Sequence, residues 1–223
     1  MIGAGKVSMT PPPPPAPGTP QPLTAKDIYD YHQWFGATYQ GKLAHRAQTM
    51  YQALLVAVGR SAKTFVETGT ARMGENWRGD GQSTLVFGDF CKRYGAHLWT
   101  CDILETAIVQ SRQATKDYRE VIEYVVSDSI EFLRHFDRPI DFLYLDSFDF
   151  DDKNPDPSQD HAVREAQAAL PHLHNGSIIL VDDCGLPFGG KGGKVVPWLV
   201  GQGYQVIGLN YQILLTLGIT QLR

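Results

Sequence analysis

Beyond residue 60 the chain alternates between two rhythms of apolar positions. Short apolar runs, "KTFVETG", "HLWTCDI", "VIEYVVSD", "IDFLYLDS" and "GSIILVDD", are bounded by glycine, aspartate or serine, and they read as strands buried on both faces. Between them apolar residues recur at helical spacing, from Ser83, from Glu105, from Ser129, from Ser158 and near Lys194. Such alternation predicts a parallel sheet covered by helices on both sides. The rhythm changes at the end, where "YQVIGL" and "YQILLTLG" flank Asn210 with no room for a crossover helix. Those two strands are expected to pair as a hairpin. The predicted fold is therefore α/β: a Rossmann-like, doubly wound, seven-stranded and mostly parallel sheet that ends in an antiparallel C-terminal hairpin.

Two helices precede the first strand. Thr24 is placed to cap one that carries Ile28, Tyr31 and Phe35 along one face, and "KLAHRAQTMYQALLVAVG" continues with helical spacing. Residues 23–60 are read as a lid or a dimer face, so a homodimer is one expectation; Tyr31 and Trp34 are assigned to packing. Residues 1–22, "MIGAGKVSMTPPPPPAPGTPQP", hold most of the prolines and are predicted to be a disordered or polyproline tail. The domain proper is expected over residues 61–223.

Composition narrows the class. With 223 residues, 43% hydrophobic, the chain can bury the core of one ordinary domain. Its 20 basic and 24 acidic side chains leave a net charge of -4 without any Lys/Arg block, which argues against nucleic acid as a partner. Cys91, Cys101 and Cys184 form no C-x-x-C pair, so a reducing, cytoplasmic setting is expected. No apolar run approaches the ~18 residues of a membrane span, and no export signal is expected.

In a doubly wound sheet, ligands bind outside the carboxyl ends of the strands. Here those ends are acidic: Glu67, Asp102, Asp128, Asp146 and the pair Asp182 and Asp183 close the five strands in turn. Any one can be a helix cap, and for Asp128 that reading is as good as a ligand role. Together they need a cationic ligand, a metal or many donors to share one rim. Asp102 lies about twenty residues beyond Gly81, a spacing suited to ribose hydroxyls. Gly69 lets the backbone approach a ligand, while Asp80 or Ser83 can cap the next helix. The loop "GTARMGENWRGDG" lacks G-x-G-x-x-G, and "GGKGGK" does not match a Walker lysine loop. A carboxylate at Glu67 repels pyrophosphate but suits an amino group or a sulfonium, and S-adenosylmethionine carries both.

"FVETGT", "CDI", "VSDSIEFL", "IDFLYLDSFDFD" and "GSIILVDDCG" resemble, in order and spacing, the class I S-adenosylmethionine-dependent methyltransferases. The resemblance runs from about Lys63 to the end. "LYLDS" followed by "ILVDD" is most similar to metal-assisted small-molecule O-methyltransferases of the catechol and macrocin types. The resemblance implies that Glu67 and Gly69 line the methionine end, Asp102 the ribose, and Asp128 with Ser129 the adenine. The full expected cofactor set is Glu67, Gly69, Thr70, Ser83, Asp102, Asp128, Ser129 and Asp146. It also implies Asp146, Asp182 and Asp183 as ligands of a divalent ion such as Mg²⁺. One departure is the loop after Gly69, which is longer than the family's glycine turn and carries Arg72, Glu75, Trp77 and Arg78.

Asp146 and His161 are the expected catalytic residues, His161 as general base if no metal serves. Lys191 and Lys194 are read as solvated loop lysines, and His172 and His174 as surface residues near a helix end. Phe148 and Phe150 belong either to an acceptor pocket or to packing. The expected activity is methyl transfer to a hydroxyl of a small-molecule acceptor. The competing readings are an NAD(P)-linked oxidoreductase on a related sheet and a non-catalytic module of the same fold.

Overall fold

The computed structural model describes residues 23–217 except 75, 78, 80 and 81; the proline-rich segment and Asp80 lie outside the described residues. Strands β1 (Thr64–Thr68), β2 (His97–Asp102), β3 (Ile122–Val126), β4 (Ile140–Leu145), β5 (Leu173–Val181), β6 (Gln205–Leu209) and β7 (Ile213–Thr216) form one sheet in the order β3-β2-β1-β4-β5-β7-β6. Every pairing is parallel except those of β7, which runs antiparallel to both β5 and β6. The hairpin is as expected, although its loop is Asn210 to Gln212 rather than Asn210 alone.

Helices α1 (Ala25–Thr38), α2 (Ala47–Gly59), α3 (Ser83–Tyr94), α4 (Glu105–Ala114), α5 (Ser129–Arg134), α6 (Asp156–Ala169) and α7 (Gly192–Gly201) complete the fold. Helix α6 begins before Ser158, with Pro155 at its N-cap and Pro157 in its first turn, where a missing N–H costs nothing. Thr24 caps α1 in a reciprocal box with Asp27.

Strand residues alternate between two apolar layers. Phe65, Phe142, Tyr144, Ile178, Leu180 and Leu214 face α1, α2 and α3, whereas Val66, Leu143, Leu145, Ile179, Val181 and Leu215 face α5, α6 and α7. Phe65 and Phe142 are register partners on β1 and β4 and stack 4.6 Å apart, with Phe87 of α3 against Phe142 at 5.3 Å. The first helices belong to this core: Tyr31 and Phe35 are fully buried and Trp34 nearly so.

The chain leaves β1 towards β2 and β3, then returns through β4 towards β5, so the order reverses between β1 and β4. At that point the backbones nearly touch. Gly69, at φ +79°, would place a Cβ 2.7 Å from the Asp146 carbonyl oxygen, and its N–H donates to the Cys101 carbonyl at 2.8 Å. Only glycine meets both demands. Gly69→Ala is expected to destabilise the fold by at least ~2 kcal/mol through the left-handed strain and the backbone clash, measured by urea unfolding; a wild-type midpoint would contradict this packing.

Candidate active site

A cavity of about 640 Å³ opens where the strand order reverses. Such a volume suits a small ligand. Gly69, Thr70, Asp102, Asp128, Ser129 and Asp146 line it, together with Ser83 and His161. The structure thus gathers most of the residues singled out from the sequence around one hollow.

Two of its acids keep acceptor capacity. Asp102 accepts the Leu104 N–H at 2.8 Å on Oδ1, and Asp128 accepts the Ile130 and Glu131 N–H groups at 3.0 Å each, also on Oδ1. Asp128 is therefore the N-cap of α5 and a cavity residue at once. In both side chains Oδ2 has no hydrogen bond among the described residues, so each can still accept from a ligand. Beside them, Phe148 holds φ +55°, is half exposed, and its ring lies 5.2 Å from that of His161.

His161 Nε2 sits 3.0 Å from Ser129 Oγ and 3.5 Å from Glu165 Oε1, an oxygen that also accepts the Ser147 hydroxyl at 2.6 Å. The imidazole is thereby fixed against the wall of Ser129 and Phe148. This wall, on the α5 and α6 side, is where any action of His161 must take place.

Glu67 is placed differently. It shares the face of Phe65, points into the layer beneath α3, is fully buried, and does not line the cavity. Three hydroxyls donate to it: Ser83 to Oε1 at 2.6 Å, Thr84 and Thr100 to Oε2 at 2.7 Å. Ser83 therefore does not cap α3; the cap position is Gln82, in the left-handed region, without a side-chain capping bond. Thr84 also accepts the Ala71 N–H at 2.8 Å, and Thr70 donates to Ser111 of α4 at 2.7 Å. Glu67 thus ties the start of α3 to β2 from below, and Thr84 carries the link on to the loop after β1. Burial pushes its carboxyl up to about 7, against the three hydroxyls that favour the charge.

The far end holds Asp146, Asp182 and Asp183, each offering an oxygen within 4.8 Å of the others. Hard divalent ions favour such donors. The donors are already engaged, however. Arg46, in the turn between α1 and α2, gives Nε to both oxygens of Asp182 at 3.1 and 2.9 Å and Nη2 to Asp183 Oδ1 at 3.2 Å. The Tyr211 hydroxyl donates to that same Oδ1 at 2.7 Å, and its ring lies 4.7 Å from the guanidinium. Lys191 Nζ bonds Asp146 Oδ1 at 2.6 Å and Asp183 Oδ2 at 3.1 Å.

This corrects the expectation of a solvated Lys191, whose side chain is only 5% exposed. Burial alone would lower its pKa, yet Asp146, Asp183 and Asp182 raise it, so the ammonium stays charged. Asp183 falls below its ordinary value: burial opposes the charge, but Lys191, Tyr211 and Arg46 outweigh it. Burial pushes the Asp146 carboxyl well above its ordinary range, with Lys191 pulling it down and Asp182 and Asp183 adding to the rise; counted as fully ionised, three carboxylates against two cations leave one negative charge. A divalent ion added to this arrangement would reverse the sign in a buried site, so the residues as placed do not fit one. Lys194, by contrast, is exposed and pairs with Asp156 and Asp160. His172 closes the 3-10 turn that follows α6, and His174, two residues on, lies at the start of β5 beside Asp141, so both sit near a helix end as expected.

Residues 78–184 match the model of a family described as a methyltransferase domain. Over those residues the chain is similar to a methyltransferase domain, and its sheet has the Rossmann-like fold of such enzymes. Among solved structures, an SAH-bound methyltransferase of Podospora anserina, PaMTH1, shares the methyltransferase fold at a TM-score of 0.58 and 15% identity, over 85% of this chain and 86% of that one. A methyltransferase from Geobacter sulfurreducens aligns at 0.51 and 14%, over 90% and 100%. NSun6 of Pyrococcus horikoshii, solved with SFG, aligns at 0.57 and 12%, over 74% of this chain and 50% of that one. No curated protein matches the chain. The dinucleotide reading gains nothing from these likenesses.

Arg46 is the functional candidate that the sequence pattern does not reveal, since no motif surrounds it; its one signal is an arginine on an otherwise apolar helical face. The buried Glu67 generates a pH prediction. Below about 4.5 its proton is bound in folded and unfolded chains alike; between 4.5 and 7 only the folded chain keeps it, and above 7 both are ionised at the folded state's expense. The stability contribution is therefore present at low pH and lost as pH rises through about 7. Against a Glu67→Gln variant, wild-type stability is expected to fall by on the order of 3 kcal/mol between pH 4.5 and 7.5, read by urea unfolding; a flat difference would contradict the buried placement.

Proposed function

We propose that the protein transfers the sulfonium methyl of S-adenosylmethionine to a hydroxyl oxygen of a small molecule. The observation that carries this reading is that Asp102 and Asp128, each with an oxygen to spare, share one cavity with the cation-paired Asp146. Asp102 takes the ribose hydroxyls, Ser129, Asp128 and Phe148 border the adenine, and Gly69 with Thr70 lets the methionine lie against backbone. His161 then stands on the adenine side, as a positioning residue for Ser129.

The acceptor enters at the end of Asp146, Lys191 and Tyr211. Its oxygen attacks the methyl carbon in line, the C–S bond breaks with its electron pair going to sulfur, and the hydroxyl proton passes to Asp146. The products are the methyl ether and S-adenosylhomocysteine. The Lys191 ammonium beside this point favours charge developing on oxygen, which supports a hydroxyl acceptor. An acidic rim whose cations are already paired suits a small molecule better than a polyanion.

A Mg²⁺-assisted form of the reaction is not adopted, because Arg46 and Lys191 already engage the clustered oxygens of Asp146, Asp182 and Asp183. Titration calorimetry tests the main reading: one site is expected for S-adenosylmethionine and one for S-adenosylhomocysteine, with Asp102→Ala weakening both about tenfold or more. No heat with either ligand in folded protein would contradict it.

A further inference from the structure

Lys191 reaches the acid cluster from a loop built to deliver it. Gln159 Nε2 donates to the carbonyls of Phe188 and Gly190, at 3.2 and 2.9 Å, and so holds the chain just before the lysine. Gly190, at φ +53°, would place a Cβ 1.6 Å from the Asp183 carbonyl oxygen, and a Cβ on Gly193 would meet the same Gln159 amide at 2.3 Å. The loop therefore presses directly against the turn that carries Asp183.

At the end of the side chain the ammonium finds three oxygens: Asp146 Oδ1 at 2.6 Å, the Asp146 carbonyl at 3.0 Å and Asp183 Oδ2 at 3.1 Å. An ammonium has three N–H donors, and these partners can use all of them. Arg46 independently occupies Asp182. Each acid of the cluster thus has a fixed internal counter-ion.

We infer that Lys191 is the resident cation of this centre, occupying the seat a divalent ion would take, and that removing it converts the three aspartates into a divalent-cation site. The inference deepens the reading of the acceptor end given above, and it makes the centre independent of added metal. With Lys191 gone, three carboxylates and Arg46 carry a net charge of two negatives, which suits a dication. With Lys191 present, a dication must first expel a buried, fully bonded ammonium.

Mn²⁺ is the probe, followed by electron paramagnetic resonance on the full chain, with S-adenosylhomocysteine affinity measured in parallel. Wild type is expected to leave Mn²⁺ free, whereas Lys191→Ala binds one equivalent at least about tenfold more tightly, and adding Asp146→Asn removes that binding. One tight Mn²⁺ in the wild type that is lost in Asp146→Asn would overturn the inference. So would a folded Lys191→Ala protein that gains no Mn²⁺. Should that variant not fold, Lys191→Met, of similar length and without charge, carries the same expectation. Loss of S-adenosylhomocysteine binding by the wild type would sink the methyltransferase reading instead, whatever Mn²⁺ does.

Discussion

Carboxylates that end neighbouring parallel strands are forced towards one rim, and each must find compensation or repel the others. The compensation differs along the rim, and that difference divides the site. Glu67 is satisfied from below by three hydroxyls and becomes part of the scaffold. Among the described residues Asp102 and Asp128 receive only backbone N–H groups and keep an oxygen for a ligand. Asp182, Asp183 and Asp146 are held by Arg46 and Lys191. Donors brought by a ligand are thus useful at one end, while the other already supplies its own positive charge.

That asymmetry orients the chemistry. Ribose hydroxyls are donors, so the nucleoside belongs with the acids that still accept. A reacting oxygen gains negative character as it loses its proton, so it belongs beside the ammonium. Gly69 lets the two halves meet, because the exits of β1 and β4 are packed too closely there for any side chain.

Strands, acids and hairpin were legible because they rest on local signals: apolar runs, the residues that stop them, and a link too short for a helix. The state of each acid was not, because it depends on partners distant in sequence. Arg46 lies 136 residues from Asp182, in a short turn with no motif, and only the packing of the first helices on the sheet brings it there. Lys191 sits among glycines, a setting that usually means a solvated loop; what the sequence hides is that those glycines permit contact with the Asp183 turn. Glu67 was half legible. Counting alternate residues from Phe65 places it in the helix layer, and burial of that layer decides that it faces hydroxyls rather than the cavity.

The most direct measurement is a crystal structure of the S-adenosylhomocysteine complex grown in Mn²⁺, with an anomalous difference map. The account expects the ribose on Asp102, the Lys191 ammonium between Asp146 and Asp183, and no anomalous peak among the three aspartates. A manganese peak bonded to Asp146, Asp182 and Asp183, with Lys191 turned away, would contradict it.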